Sequence, residues 1–475
     1  MTAARQSAAL GARPDRPAWY RRGRWLLALG TAAFAVAVAG YVAYALTHPS
    51  NQWMRPVDLQ VYTDGGLIAA HVRPLYHPHF PSPLYDWAGY LNLKFTYPPF
   101  AALAFTVLTV PSFAALAKIS VGVNIAALLT TVWLTLGALG YRRGLAKMGA
   151  TLLLAAPLLW TEPVQRTLFL GQIEIVLMTL VIWDLCQPDR RWWKGAGVGV
   201  AAGIKLVPLI FIPYLLLTRR FRQAAVASGT FVLTVLVGFA VLPGDSRKYW
   251  LGGLFVSGSR TGFVGWAGNQ SLPALITRLT GSVAGAQPAW LVVVVVTAVA
   301  GVVCAAILDR AGYRMLGVLT CALAGLLASP ISWDHHWVWI VPGVVTAAVY
   351  AVRARRVAAR FALGSLAAGI VLIFGAWPGI LWSQPANTGG FFEGLIWIPP
   401  ITNPEVYFSL GDRPSYAEYH WHGFQLITGN LYVLTGMALF VLLVALALGP
   451  AARAARGAGR AGRPLTPAAT APPPG

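Results

Sequence analysis

Stretches of about 15–25 apolar residues, bounded by arginines, recur along almost the whole chain. Runs that are continuously apolar over this length read as membrane-crossing helices, because the strands of a barrel would alternate polar and apolar positions. Hydrophobic residues make up 57% of the chain and charged residues 11%, against roughly 25% charged in a soluble domain. A water-soluble core has no use for that much apolar surface. The expected fold class is therefore an all-α polytopic membrane protein, with about twelve spans between the basic clusters. Two regions strain a simple count. The stretch from Pro99 to Leu139 is too long for one span and is expected to break at Pro111-Ser112. The segment between Lys194 and Arg219 fits two short helices joined at Gly203-Ile204-Lys205, or one tilted helix.

The first run, Trp25 to Leu46, follows a basic segment and contains Ala43-Tyr44-Ala45, a small-x-small pattern of the kind cleaved in secretory signals. It is longer than a signal core of about 7–15 residues, so an uncleaved anchor is expected. Basic residues cluster at 5–24, 142–147, 190–194, 219–222, 310–314, 353–360 and 453–463. Most of the fifteen carboxylates lie between these clusters. The basic loops are then cytoplasmic, with both termini inside and the acids on the opposite side of the plasma membrane. Basic loops beside anionic lipid headgroups account for the net charge of +21, and no nucleic-acid partner is called for. Residues 1–24 read as a basic cytoplasmic segment, 25–450 as one multispanning domain, and 451–475, rich in Ala, Arg, Gly and Pro, as a disordered tail. Cys186, Cys304 and Cys321 fall inside expected spans and imply no disulfide.

The long loops 47–98, 244–288 and 383–429 all fall on the outer side and are rich in Trp, Tyr, Pro, Gly and His. Polar groups gathered there suggest chemistry at the outer membrane surface, whereas a transporter would place them near the midplane. In "VDLQVYTDGG", Asp58 and Tyr62 share a helix face while Asp64 lies about 240° round from Asp58. A carboxylate at an apolar boundary has a raised pKa, which suits Asp58 to general-base work. In "SPISWDHHW", His335 and His336 are poor joint chelators but suit an anionic oxygen such as phosphate, with Trp333 and Asp334 beside them. Lys205, the single lysine of the apolar stretch 195–218, needs a partner, and a lipid-borne phosphate is one candidate. "SGSRTGFVGWAGNQSL" offers Arg260, Asn269 and Gln270 in a Gly-rich loop, groups suited to binding sugars. "LFLGQIEIVL" places Gln172 and Glu174 at the outer end of a span, where Glu174 is a second acid or base or a contact between helices.

Some chemistry is excluded by what is missing. There is no G-x-x-x-x-G-K-[ST], hence no nucleotide-driven pump, and no D-x-D of a metal-dependent nucleotide-sugar site. The pairs His77/His79 and His420/His422 have no neighbouring Cys or acidic set that would complete a zinc site, and no cofactor or metal is expected. Without a soluble domain to hold a nucleotide, an outer-face transferase would draw its activated group from a membrane lipid. A secondary transporter or lipid flippase stays open as the other class, since Lys205 and Glu174 can be read as midplane charges, though no internal repeat is evident.

Taken in order, "VDLQVYTDGG", "GQIE", "AAGIKLVPLIF", "GNQSL" and "SPISWDHHWVW" resemble glycosyltransferase family 87, the GT-C type polyprenol-phosphate-mannose-dependent mannosyltransferases of actinobacteria. The likeness covers nearly the whole chain apart from its first 20 residues and its tail, and is strongest to the α-1,2-mannosyltransferases of phosphatidylinositol mannosides. It implies a GT-C type bundle that transfers mannose from polyprenyl-phosphate-mannose to a mannosylated phosphatidylinositol on the periplasmic face. The aspartate of the first outer loop acts as base in such enzymes, and Asp58 matches it. A β-linked donor and an α-linked product imply one inverting displacement without a metal. Lys205, Arg260, His335 and His336 are then candidates for the donor phosphate. Tyr62, Asp64, Gln172, Glu174, Asn269, Gln270, Trp333 and Asp334 are candidates for the sugar or acceptor. Glu174 and Asp334 depart from the family pattern, which often has Asn and Ser there. Polyprenyl-phosphate-arabinose transferases and lipomannan-branching mannosyltransferases share the plan and differ in donor or acceptor.

Overall fold

The computed structural model describes residues 22–47, 54–71, 73–76, 93–256, 262–378, 392–402 and 412–449. Among these the chain is helical almost throughout, and strand is confined to a short antiparallel pair, Trp377–Pro378 with Phe392–Glu393. The first helix, α1 (Gly23–Thr47), is followed by a short helix in the first long loop, α2 (Val57–Ala70). Next come α3 (Pro99–Phe105), α4 (Phe113–Ala138), α5 (Leu145–Leu159), α6 (Glu162–Leu170) and α7 (Glu174–Cys186). Then follow α8 (Ala196–Ile204), α9 (Phe211–Leu217), α10 (Phe221–Val241), α11 (Leu272–Thr280), α12 (Val283–Arg310) and α13 (Arg314–Ala328). A 3₁₀ turn, Asp334–Trp339, leads into α14 (Ile340–Arg353), and the last of the longer helices are α15 (Val357–Ile373) and α16 (Leu431–Leu448).

Six of these stretches are long and apolar enough to cross a membrane, namely α1, α4, α10, α12, the turn with α14, and α16. The pair α6 and α7, bent by 116°, makes a seventh if it counts as one broken span. Several of the twelve expected spans are shorter apolar helices, among them α5, α13 and α15. The break expected at Pro111-Ser112 occurs, and of the two readings of the segment between Lys194 and Arg219 the structure has the two short helices. The chain leaves α3 through a 3₁₀ turn, and α4 restarts at Ser112, whose hydroxyl accepts from the Ala115 amide. The segment from Ala196 to Leu217 is two short helices, and Lys205 ends the first with an extended backbone. The three cysteines are free thiols.

Small residues set the closest approaches, as expected where helices cannot rely on the hydrophobic effect to associate. A Cβ on Gly30 of α1 would sit 2.2 Å from the Gly149 carbonyl oxygen of α5, and one on Gly149 would lie 2.4 Å from the Leu26 backbone. At the end carrying the basic loops, acids are tied to neighbours. Asp184 accepts the Gly195 and Val198 amides at the start of α8, Lys194 meets Asp189 at 2.8 Å, and Arg220 meets Asp309 at 2.8 Å.

The opposite end is organised around α2. The Arg55 amide donates to the Phe169 carbonyl at 2.9 Å, fixing where the helix starts. Gly66 lies so close to the end of α3 that a Cβ would meet the Phe105 carbonyl oxygen at 2.5 Å. Gly171, the left-handed cap of α6 with φ of 69°, supports the other side, and a Cβ there would fall 2.6 Å from the Leu59 Cβ. Asp58 occupies the first turn of the helix wedged between them.

Gly171→Ala therefore meets both a disfavoured backbone and a steric clash, whereas Gly140, with φ of 89° and no atom within 4 Å, meets only the first. Thermal unfolding in detergent should show Gly171→Ala less stable than Gly140→Ala by about 1–3 kcal/mol, the usual cost of overpacking. Equal stability of the two variants would mean that α2 is not wedged against this cap.

Candidate active site

The charged centre lies where two helices are interrupted. Glu174 opens α7 after the 116° bend, and Lys205 follows the last turn of α8. The Lys205 ammonium donates to Glu174 Oε1 and lies 2.9 Å from His336 Nε2, which is 3.7 Å from the same carboxylate oxygen. It also faces the Tyr97 ring at 5.7 Å. The Lys205 and Glu174 side chains retain 17% and 12% of their exposure, so each needs the other. An unpaired cation in such surroundings costs at least roughly 2.5–3.5 kcal/mol.

The segments "GNQSL" and "SPISWDHHW" meet through their backbones. The Gln270 amide donates to the Ser332 carbonyl and the Asp334 amide to the Gly268 carbonyl, both at 2.8 Å. Asn269 reinforces the seam, donating to the Val264 and Pro330 carbonyls and accepting from the Ser332 amide. Gln270 donates to the Ala267 and Gly429 carbonyls and accepts from the Val433 amide. The structure thus uses both amides, expected as sugar ligands, to build the scaffold. Trp333 packs edge-on against Trp266, with ring centroids 5.6 Å apart.

His335 and Asp334 form a pair. His335 Nδ1 lies 2.9 Å from Asp334 Oδ1, which leaves its Nε2 buried with no hydrogen-bond partner among the described residues. The other Asp334 oxygen is 3.3 Å from Arg166 Nε. Glu162 hydrogen-bonds to Asp334 and accepts from Trp397 Nε1 and the Tyr432 hydroxyl. Glu393, brought in by the short strand pair, is 3% exposed. Burial pushes its carboxyl up to about 7, opposed by Arg166 and aided by Asp334.

Asp58, half-buried at the start of α2, looks onto this assembly. Burial raises its pKa, while His335, a hydrogen bond from Gln172, Lys205 and Arg166 hold it down. The Tyr62 hydroxyl donates to Gln172 Oε1, and its oxygen lies 2.8 Å from that of Tyr97. Asp64 is completely buried on another face of the helix. A carboxylate facing one ammonium, one imidazole and a guanidinium can remove a proton on one side while an anion is held on the other.

Donor atoms of Glu174, His335 and His336 lie within 4.8 Å of one another, a spacing that a divalent cation would fit. Lys205 is already lodged against two of these groups and supplies positive charge there. The pair His420/His422 makes local backbone contacts and gathers no further ligands among the described residues. Arg260, His77 and His79 lie outside the described residues. Arg166, Tyr97, Glu162 and Glu393 are additions from the structure. Arg166 had a signal, being a lone cation in an apolar stretch as Lys205 is, but Glu393 sits in a loop whose sequence carries no periodic pattern.

Glycosyltransferase family 87 matches residues 95–330. A Mycobacterium tuberculosis protein named polyprenol-phosphate-mannose-dependent alpha-(1-2)-phosphatidylinositol pentamannoside mannosyltransferase is 38% identical over 60% of this chain and 64% of its own length. A second from that organism, named polyprenol-phosphate-mannose-dependent alpha-(1-2)-phosphatidylinositol mannoside mannosyltransferase, is 34% identical over 74% of this chain and 80% of its own. A Mycolicibacterium smegmatis protein with the pentamannoside name is 36% identical over 60% and 68%. No solved structure matches the chain. With this coverage and these identities, the chain belongs to glycosyltransferase family 87.

Proposed function

We propose that the chain is a membrane-embedded inverting glycosyltransferase that moves mannose from polyprenyl-phosphate-mannose to a phosphatidylinositol mannoside in α-1,2 linkage, with Asp58 as general base. The relatives' names supply the donor and the acceptor class. The observation that carries the chemistry is the Asp58 carboxyl facing Lys205, His335 and Arg166. The relatives divide between pentamannoside and mannoside acceptors, and our reading commits only to a phosphatidylinositol mannoside.

The reaction is one displacement. Asp58 takes the proton of an acceptor hydroxyl as its oxygen bonds to the anomeric carbon, and the bond from that carbon to the phosphate oxygen breaks on the opposite face. The electron pair leaves with polyprenyl phosphate, and a β-linked donor gives an α-linked product. Phosphate is a good leaving group and needs charge stabilisation, for which Lys205, His335 and His336 are the candidates, His335 through an Nε2 that donates only when the ring carries both protons. In topology, the basic loops and both termini face the cytoplasm, the site opens to the periplasm, and the shorter apolar helices complete about twelve crossings in a GT-C type bundle.

Three outcomes test this reading. Asp58→Asn, purified and folded, should lose mannose transfer by about two to four orders of magnitude, while wild type keeps its activity with chelator present. An active Asn variant would remove Asp58 as the base, and wild type that uses only an arabinose donor would change the donor. Because Asp58 is raised, kcat/KM should fall with acid through an apparent pKa above the ordinary aspartate value of about 3.9. A limb at or below that value contradicts the buried base. Lys205→Met should cost about 10- to 100-fold in transfer, part of it from the stranded Glu174 charge. Lys205→Met with Glu174→Gln should recover some of that loss, and strict additivity would mean that the pair is not coupled.

A further inference from the structure

Tyr62 and Gln172 suit a sugar ligand by composition, yet their polar atoms are committed to one another. Gln172 Oε1 accepts from the Tyr62 hydroxyl, and the same amide helps to hold down the pKa of Asp58, which stands one helical turn before Tyr62. An ionised carboxylate can only accept, so the NH₂ end of the amide faces Asp58 and the carbonyl end faces Tyr62. The single Tyr62 proton is then used, and Tyr97, 2.8 Å away, donates to the Tyr62 oxygen. Polarity runs in one direction, from Tyr97 through Tyr62 and Gln172 to Asp58.

Each link is held by packing. Tyr62 is 1% exposed, stacked on Phe105 at 4.7 Å and edge-on to Tyr97 at 5.2 Å. Gln172 is 4% exposed, its backbone nitrogen donates to the Thr167 carbonyl, and its carbonyl accepts from Asn124. Burial raises both phenols well above 10, so they remain neutral donors at any working pH.

We propose that Tyr97, Tyr62 and Gln172 form a one-way hydrogen-bond chain that orients Asp58 and sets the pH at which it ionises. They are positioning residues and do not contact the sugar. The inference rests on Asp58 being the general base. His335, Lys205 and Arg166 also face Asp58 and favour its charged form, while Glu174 faces the two phenols and is neutralised by Lys205. Loss of the chain therefore shifts the ionisation of Asp58 without abolishing it.

The test is the pH dependence of kcat/KM for mannose transfer by full-length wild type, Gln172→Leu, Tyr62→Phe and Tyr97→Phe, with Asp58→Asn alongside. Gln172→Leu should move the acid limb up by about one unit, the effect of losing a hydrogen bond to a charged group. Most of the rate should return on the alkaline plateau. Tyr97→Phe should move the limb in the same direction by less, because Tyr62 still donates to Gln172. The acceptor KM should stay within about twofold in both, where loss of a direct sugar contact would raise it about tenfold or more. An unmoved limb with a uniform loss of rate, or a raised acceptor KM with an unmoved limb, overturns the chain. Full activity of Asp58→Asn is a different result and overturns the base assignment itself. Should Gln172→Leu fail to fold, the half-exposed Tyr97 decides the matter through its Phe variant.

Discussion

Pairing of the Lys205 ammonium with Glu174 and His336 is the constraint around which this end of the molecule is built. Neither charge is sustainable alone in a bundle this apolar. Meeting requires the end of α8 and the start of α7 to reach the same point, and both helices are interrupted there. The 116° bend before Glu174 also leaves Gln172 in the break, where its side chain can reach Asp58 and Tyr62. One ion pair thus fixes α7 and α8 relative to the turn that carries the histidines, and the Tyr62–Gln172 hydrogen bond ties α2 to them.

A second layer holds the histidines. Asp334 contacts His335 with one oxygen and Arg166 with the other, and Glu162 joins it by a hydrogen bond. Asp334 thus sets a carboxylate charge against the guanidinium. Arg166 balances that charge, and the backbone seam between "GNQSL" and "SPISWDHHW" keeps the arrangement in register. The amides of Asn269 and Gln270 matter here because they satisfy backbone groups of the irregular segments around the turn, at Val264, Pro330, Ser332 and Gly429.

The sequence showed the membrane class, the helix break at Pro111-Ser112 and most of the charged centre, because each rests on a local rule. Continuous apolar runs specify spans, Pro111-Ser112 specifies a restart, and a lone lysine in an apolar stretch demands a partner. What the sequence left open was which groups pair across long separations. Glu174 and Lys205 were both visible as candidates, but nothing local joins residues 31 apart, still less His336 at a separation of 131. The structural part that Asn269 and Gln270 play was hidden for a related reason. Amides in a Gly-rich loop suit sugars and backbone seams equally well, and only the fold decides between them. The count of long spans also fell short of twelve, since helices such as α5 and α13 reach only 15 residues.

Glu174 and Asp334 are each matched to a cation, Lys205 and Arg166. The matching has a consequence for anion binding. Each cation thus has a carboxylate beside it, and an ionised Asp58 adds one more negative charge, so the centre holds little surplus positive charge. In the proposed reaction an entering phosphate then gains little from long-range attraction and would be stabilised by donors at contact distance, such as the Lys205 ammonium. Such donors favour the developing charge of the leaving phosphate over the esterified donor, which carries less charge. A centre close to neutral before the reaction is therefore compatible with catalysis, because the interactions that count are those that strengthen as the bond to phosphate breaks.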